Sequence, residues 1–427
     1  MVVGAGAAGF LAAIFAARAA SAAGHRHHRI LLLERTRDGG RKILMSGGGR
    51  CNVLPSELDP ARFVTASSPN TMKKILLSWP LREQRRFFEE DLEMPLALEE
   101  ETGKLFPVSN RAKDVRDRLR ALAERSGAEM RFECAVEGLE PPAVSAEEPI
   151  TAGGSGARNW RVLLAGGSSL PAARVILATG GLSVPATGSD GTGLRIVRKL
   201  GHTVHDTYPA LTPLTAQPHR HAALSGVSLP VTIEAPTGRR TFLTRGGFLF
   251  THKGYSGPAV LNVSHLAVRA RHAGGPRQPI DVSWSPLTAE EWDRTLQKGT
   301  GAVVSLLRAR MPARLAETLL DEAGVDAAAT TSTLRREDRL RLVGLLTRYP
   351  LPWTSDEGYS KAEVTGGGVA LDEVNARTLE SKLCPGLYLC GEILDAFGPI
   401  GGYNFAWAWA TGRAAGLAAV SSMAEGS

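Results

Sequence analysis

Apolar positions along the chain fall into three regimes. At the start, Val2-Val3 precedes a Gly-rich turn from Gly4 to Gly9. An Ala-rich stretch from Phe10 to Ala20 follows, then a basic loop from His25 to Arg29, then Ile30-Leu31-Leu32-Leu33 closing on Glu34. The pattern predicts strand, turn, helix, strand. Its first strand has only Met1 to Val3, where about five or six residues are usual, so either the start is late or the strand is unusually short. Residues 60–130 read as mainly helical, broken at Pro80, Pro95 and Pro107, and Glu147 to Asn159 as a Gly- and Ser-rich hairpin or loop. Arg174 to Ala178 reads as a buried strand running into Thr179-Gly180-Gly181.

From about 206 to 285 the helical period fades into short apolar runs punctuated by Gly and Pro, which predicts a small β-barrel or sandwich. Helical spacing returns over 288–347, as in Leu334, Leu340, Leu342, Leu345 and Leu346. After Tyr359 the Gly-rich character of the start comes back, and no internal repeat is visible. The organisation expected is an α/β domain built from residues 1–205 and 359–427. It is interrupted by a β module (206–287) and a helical module (288–358).

Composition narrows the class. Of 427 residues, 43% are hydrophobic and 22% charged, as in a soluble globular protein. Gly and Pro make up 72 residues, above the roughly 12% of average usage, as tight backbone approaches to a nucleotide require. The net charge of +7 comes with 40 Arg against 10 Lys and abundant Ala, a genomic base bias more than a binding surface. In the richest basic stretch, Arg111 to Arg131, Asp114, Asp117, Glu124 and Glu129 interleave at helical spacing and predict a solvated face. Four cysteines, at 51, 134, 384 and 390, form no CxxC and no disulfide framework, which fits a reducing compartment. The apolar start lacks a basic n-region, and no run reaches membrane-spanning length, so a cytoplasmic protein is expected.

Gly4-x-Gly6-x-x-Gly9 gains meaning from its setting between strand and helix, with an acid ending the next strand. Gly4 makes the turn, Gly6 admits a pyrophosphate to the backbone, and Gly9 lets helix and strand pack. The phosphates face the amides of Ala7 and Ala8 at the positive end of the helix. Glu34 accepts from a ribose hydroxyl and repels a 2′-phosphate, which excludes NADP at this site. FAD is favoured over NAD by the second block, Gly40 to Asn52, where Ser46, Gly47 and two further glycines lie among Arg41, Lys42 and Arg50 and can cradle a pyrophosphate–ribitol stretch. Ala178-Thr179-Gly180-Gly181 ends a strand beside the dinucleotide. A fourth block, Gly386 to Asp395, ends another strand in Gly391-Glu392, with an acid for the ribitol hydroxyls. Gly398 to Phe405 opens the last helix through Gly402, Tyr403 and Asn404, and its amides can face flavin N1 and the C2 carbonyl.

Taken together, GAGAAG, GRKILMSGGGRCN, ATGG, FLFTHKGYSGPAVLNVS (248–264), EVTGGGV (363–369) and GLYLCGEILDAFGPIGGYNFAWAWATGRAAG resemble the YhiN/BaiN-like family of bacterial flavoproteins, which includes proteins described as aminoacetone oxidases and as bile-acid-intermediate reductases. The resemblance spans nearly the whole chain in order, and SGGGRCN with GGYN is its most specific part. It implies bound FAD in a glutathione-reductase-like Rossmann domain with a single dinucleotide site, and a β-barrel plus a helical piece inserted. The residues expected to line FAD include Arg35 after Glu34 and Val136 in addition to those above.

Rival readings are weaker. Gly188 to Gly193 is the sole candidate for a second, nicotinamide turn, and its register and flanks are wrong, so NAD(P)H is expected to dock transiently. Cys51 and Cys390 read as small buried packing residues. His25, His27 and His28 lack carboxylate or thiolate partners and hold no metal. His252 and Lys253 can reach substrate from the inserted module. The expected reaction moves a hydride between a small organic substrate and flavin N5, with Tyr403, Asn404 and Lys42 as candidates beside the flavin and no general base named. An FAD-dependent amine oxidase, using dioxygen and releasing hydrogen peroxide, is the alternative. An RNA-associated flavoprotein gripping RNA through Arg335, Arg336, Arg339 and Arg341 is less favoured because Glu337 and Asp338 lie within that run, as is a flavoprotein without turnover.

Overall fold

The computed structural model describes residues 1–24, 28–142, 159–238 and 240–424. His25, His27 and all of the 147–159 loop except Asn159 lie outside the described residues. The chain forms two compact units, one of residues 1–207 with 364–427, the other of residues 208–363.

The first unit is organised by five parallel strands in the order Leu387–Leu389, Val175–Leu177, Val2–Val3, Ile30–Leu33, Ala128–Arg131. Val2 pairs with both Ile176 and Leu32, so the shortest strand is the central one. Its ladder extends by one bond, from the Ile176 amide to the Met1 carbonyl at 2.8 Å. Central parallel strands are covered on both faces and so read as unbroken apolar runs. Accordingly Leu31, Leu32, Leu33, Val175, Ile176 and Leu177 are all buried.

One face is covered by two helices, Ala7–Ala22 and Tyr403–Ala424, from opposite ends of the chain. They approach so closely that a Cβ on Gly412 would lie 2.3 Å from the Ala8 carbonyl oxygen, and one on Gly416 would lie 2.4 Å from that of Ala12. The Ala and Gly content of both segments is the requirement of this seam. Pro80 and Pro95 bound the predicted breaks, while Pro107 ends an antiparallel strand, Lys104–Pro107, paired with Leu54–Pro55 and Leu96–Glu99.

The second unit holds seven antiparallel strands in the order Tyr349–Pro350, Asp281–Ser283, Ser228–Thr237, Arg240–Phe250, Gly254–Ser256, Leu214–Thr215, Ser355–Asp356. The expected barrel is here corrected to an open sheet, since its two-residue edge strands do not pair with each other among the described residues. Period-2 alternation foretells strands and their buried face, whereas closure depends on edge strands too short to carry that signal. Helices Ala289–Lys298, Ala313–Glu322 and Arg336–Thr347 share the sheet's core, in which Trp292, Leu315 and Leu342 join Phe248, Phe250 and Trp284. The first of these helices starts in a capping box, with Thr288 and Glu291 each binding the other's amide. In the basic run, Arg339 pairs with Asp293 at 2.8 Å and Arg341 with Asp338 at 2.6 Å. Among the described residues no helix is long and apolar enough to cross a membrane, and no His, Cys, Asp or Glu cluster suits a metal ion.

Candidate flavin site

The nucleotide turn is built on steric necessity. Gly4 takes φ of +100°, and a Cβ on Gly9 would sit 1.8 Å from the Gly4 carbonyl oxygen, so strand and helix meet only through glycine. Gly6 differs, because nothing lies within 4 Å of its missing Cβ. The open space in front of it, at the amino end of the Ala7–Ala22 helix, is where unpaired amides and the helix dipole attract an anion.

Glu34 sits beside this turn, buried, with Oε2 accepting from the Ala5 amide at 2.7 Å and Oε1 accepting from the amide and hydroxyl of Thr36 at 2.8 Å each. The side chain is thereby aimed, and a lone pair remains on Oε2 for a ribose. Arg35 is ion-paired with Asp190 of the Gly188 to Gly193 loop. Burial alone would raise the Asp190 carboxyl, but hydrogen bonds from Thr192 and Arg35 pull it down to about 2. That loop follows a short 3-10 turn, Pro185–Thr187, not a strand, and so lacks the frame of a second dinucleotide turn. Val136, half-buried, opens the strand Val136–Glu140 two residues past Cys134, whose amide donates to the Glu34 carbonyl.

The second block begins where the Gly40 amide donates to the Ala5 carbonyl at 2.8 Å. After the short helix Arg41–Met45, Gly47 and Gly48 adopt left-handed backbone, which turns successive amides toward one side. Ser46 is held by its own hydroxyl on the Ile43 carbonyl, and Asn52 packs under Gly47. A Cβ on Gly48 or Gly49 would meet nothing within 4 Å. Arg50 is drawn aside to Glu99 at 3.0 Å and lies over the Phe106 ring at 4.0 Å.

Lys42 reaches across the sheet to Glu392, with Nζ 2.7 Å from Oε2. Ser183 accepts from Lys42 at 2.6 Å and donates to Glu392 Oε1 at 2.6 Å, and the Thr365 amide donates to the same oxygen at 2.9 Å. Burial pushes the Glu392 carboxyl up, but the Lys42 cation and these donors more than offset it, leaving it below the usual range. Thr179 and Gly180 flank this cluster, and the buried Thr179 hydroxyl has no partner among the described residues. Cys51 and Cys390 are buried; burial raises Cys51 to about 12 and Cys390 further, so neither is a thiolate at neutral pH.

At the other end, Asp395 Oδ2 accepts from the Thr65 hydroxyl, the Ala66 and Ser67 amides and the Ser67 hydroxyl, all within 2.9 Å. The side chain fixes the 65–67 loop. Asn404 accepts from the Gly398 amide and donates to the Gly398 carbonyl, both at 2.9 Å, closing the loop that delivers Gly402 and Tyr403. The Tyr403 hydroxyl accepts from Arg62 at 2.8 Å, while the same guanidinium lies 4.9 Å from the phenol ring centroid.

A model of the HI0933-like protein Rossmann domain matches residues 1–418. The chain belongs to the HI0933-like family. It is an FAD-dependent oxidoreductase with an FAD-binding Rossmann fold. HI0933-like relatives include the ribosomal RNA dihydrouridine synthase of Escherichia coli, 31% identical over 96% of this chain and 95% of that protein. The 3-dehydro-bile acid delta(4,6)-reductase of Clostridium scindens is 31% identical over 98% of each. Among solved structures, 3-ketosteroid delta1-dehydrogenase from Sterolibacterium denitrificans matches at 14% identity and TM-score 0.48, over 99% of both chains.

The residues present fit FAD: an open anion cradle at Gly6, a directed carboxylate at Glu34, an open glycine loop at Gly48–Gly49 and a strand-end acid at Glu392. Sequence reasoning named Lys42, Glu392 and Tyr403 singly but missed Ser183, Thr365 and Arg62. Thr365 sits inside the EVTGGGV piece, which was a usable signal. Arg62 lies in no motif.

Proposed function

We propose that this chain reduces a carbon–carbon double bond conjugated to a carbonyl, with NADH or NADPH as the transient source of electrons. Bound FAD supplies the hydride. We infer that Gly4, Gly6, Ala7, Ala8 and Gly9 receive the pyrophosphate, and that Glu34 and Arg35, with Val136 nearby, frame the adenosine end. Ser46, Gly47, Asn52, Ala178, Thr179 and Gly180 line the middle, and Lys42, Gly391 and Glu392 the ribitol. Gly402 and Tyr403 face the ring, while Asp395 and Asn404 hold the loops in place.

The observation that carries the reading is the Arg62–Tyr403 pair at the start of the last helix. A phenol that accepts from a guanidinium keeps its own O–H, so Tyr403 can give a proton to the α-carbon as hydride arrives at the β-carbon. The remaining N–H groups of Arg62 can hold the carbonyl oxygen as negative charge develops there. Together the hydride and the proton saturate the bond.

Support also comes from the relatives. One is named for making dihydrouridine, the other for reducing unsaturation in a 3-oxo bile acid, and these are the same bond change on unlike bodies. Residues 208–363 carry 19 Lys and Arg against 14 Asp and Glu, which makes uracil in RNA the first substrate to try and a steroid dienone the second.

The test is anaerobic titration of the FAD-loaded protein with NADH and NADPH, followed by addition of uridine-containing ribosomal RNA or a 4,6-dien-3-one. Bleaching of the flavin and its recovery on adding either acceptor, with the product two hydrogens heavier, supports the reading. A flavin untouched by either nicotinamide, with peroxide released from small amines, overturns it in favour of an oxidase.

A further inference from the structure

The unit of residues 208–363 contains a cleft of about 440 Å³ formed by three separate segments, 217–220, 277–281 and 350–354. That size is within the range of small-molecule sites. Its walls are stiff and largely apolar, with four prolines, Ile280 and Leu351, and its charged groups are Arg220, Arg277 and Asp281. Asp281 is already engaged by Arg348 at 3.3 Å. Among the described residues neither cleft arginine forms an ion pair.

The two guanidiniums are held in different ways. Arg277 donates to the Leu351 carbonyl and lies over the Trp353 ring at 5.4 Å, which fixes its plane and leaves its other N–H groups without a hydrogen-bond partner among the described residues. The Arg220 side chain has no hydrogen-bond or ion-pair partner among the described residues. Its backbone is anchored by the next residue, the buried His221, whose Nδ1 meets the Tyr255 hydroxyl at 2.9 Å. His221 Nε2 meets the Tyr349 hydroxyl at 2.9 Å and Glu322 at 3.1 Å. Glu322, the carboxylate that feels Arg220, is thus taken up by His221 and Tyr349.

We propose that this cleft binds a phosphate group carried on an organic body, with Arg220 and Arg277 as its two cations. A carboxylate is satisfied by one bidentate guanidinium, whereas a phosphate offers oxygens to two. The volume beyond the anion, lined by proline and aliphatic carbon, suits an attached sugar or base. Such a phosphate can come from an RNA backbone or from a free nucleotide. The inference concerns binding and goes beyond the redox reading, so each stands or falls by its own measurement.

The experiment uses the full-length, FAD-loaded protein, with a short labelled single-stranded RNA followed by anisotropy and AMP followed by calorimetry. The variants are Arg220→Gln, Arg277→Gln and, as a control outside the cleft, Arg245→Gln. Binding should weaken about tenfold in each cleft variant and remain unchanged in the control. For RNA, the slope of log affinity against log salt should fall by about 0.7 per arginine lost. RNA binding with this pattern assigns a backbone phosphate, and AMP binding with this pattern and no RNA binding assigns a free nucleotide. Failure of both probes to bind the unaltered protein overturns the proposal, as does equal loss in the Arg245 variant. Should Arg277→Gln disturb folding through Trp353, Arg220→Gln decides alone, because the Arg220 side chain makes no hydrogen bond or ion pair among the described residues.

Discussion

Lys42 and Glu392 are 350 residues apart in the chain and 2.7 Å apart in the folded protein. The ion pair is only partly exposed, at 28% and 19% for the two side chains, and it joins the glycine loop of the second block to the strand-end acid. Removing one partner strands the other in a poorly hydrated place. Lys42→Met or Glu392→Gln should each cost about 2 kcal/mol in urea unfolding, and the double variant less than the two together. A double-mutant cycle on stability and on FAD affinity checks this, and strict additivity would count against the coupling.

The same carboxyl gives stability a pH signature. Its folded pKa lies below the ordinary value of 4.5, so the unfolded chain takes up the proton first. The contribution of Glu392 is complete above that value and is lost as pH falls through the folded pKa. The gap in urea midpoint between the natural protein and Glu392→Gln should be constant near neutrality and shrink in acid.

His265 acts over a higher window. Burial holds its imidazole neutral, with the pKa lowered from 6.5 to about 4, although its bond to the Asn262 carbonyl works the other way. Unfolding lets the ring take a proton anywhere between these values. Stability should therefore drop by about 3 kcal/mol as pH falls from 6.5 to 4, and His265→Gln should flatten that slope.

Two neighbouring glycines should respond differently to the same methyl group. Gly9→Ala places carbon 1.8 Å from a carbonyl oxygen and should abolish stable folding. Gly6→Ala meets nothing within 4 Å and keeps an ordinary extended φ of −83°, so it should fold normally yet bind FAD about tenfold or more weakly. Thermal melting and flavin fluorescence separate the two outcomes.

Tyr403→Phe should retain FAD and its reduction by nicotinamide but slow the step that reoxidises the flavin with organic acceptor by about 100-fold or more. Arg62→Lys should show a smaller loss confined to that same step. Equal slowing of both half-reactions would mean the pair only shapes the pocket.

Local signals in the sequence were enough for the turn from Gly4 to Gly9 and for Glu34, because strand, turn and acid are consecutive and each residue type answers a backbone requirement. Lys42 and Glu392 each stand in a motif that drew attention, but their union was not legible, since nothing in spacing reports a contact across 350 residues. Asp395 and Asn404 carry the right chemistry for a ligand, and only the fold reveals that the 65–67 loop and Gly398 already engage them. The inserted strands announced themselves by alternation, while the open edges of their sheet rest on pairs such as Tyr349–Pro350, too short for any period to be felt.

The seam between Ala8 and Gly412 has a temporal side. The nucleotide turn is synthesised long before the helix that presses on it. Until translation has delivered residues 403–424, the Ala-rich first helix has an uncovered apolar face. Loading of the cofactor therefore waits for residues 403–424, and a ribosome stalled shortly before residue 403 should carry a nascent chain that does not take up FAD.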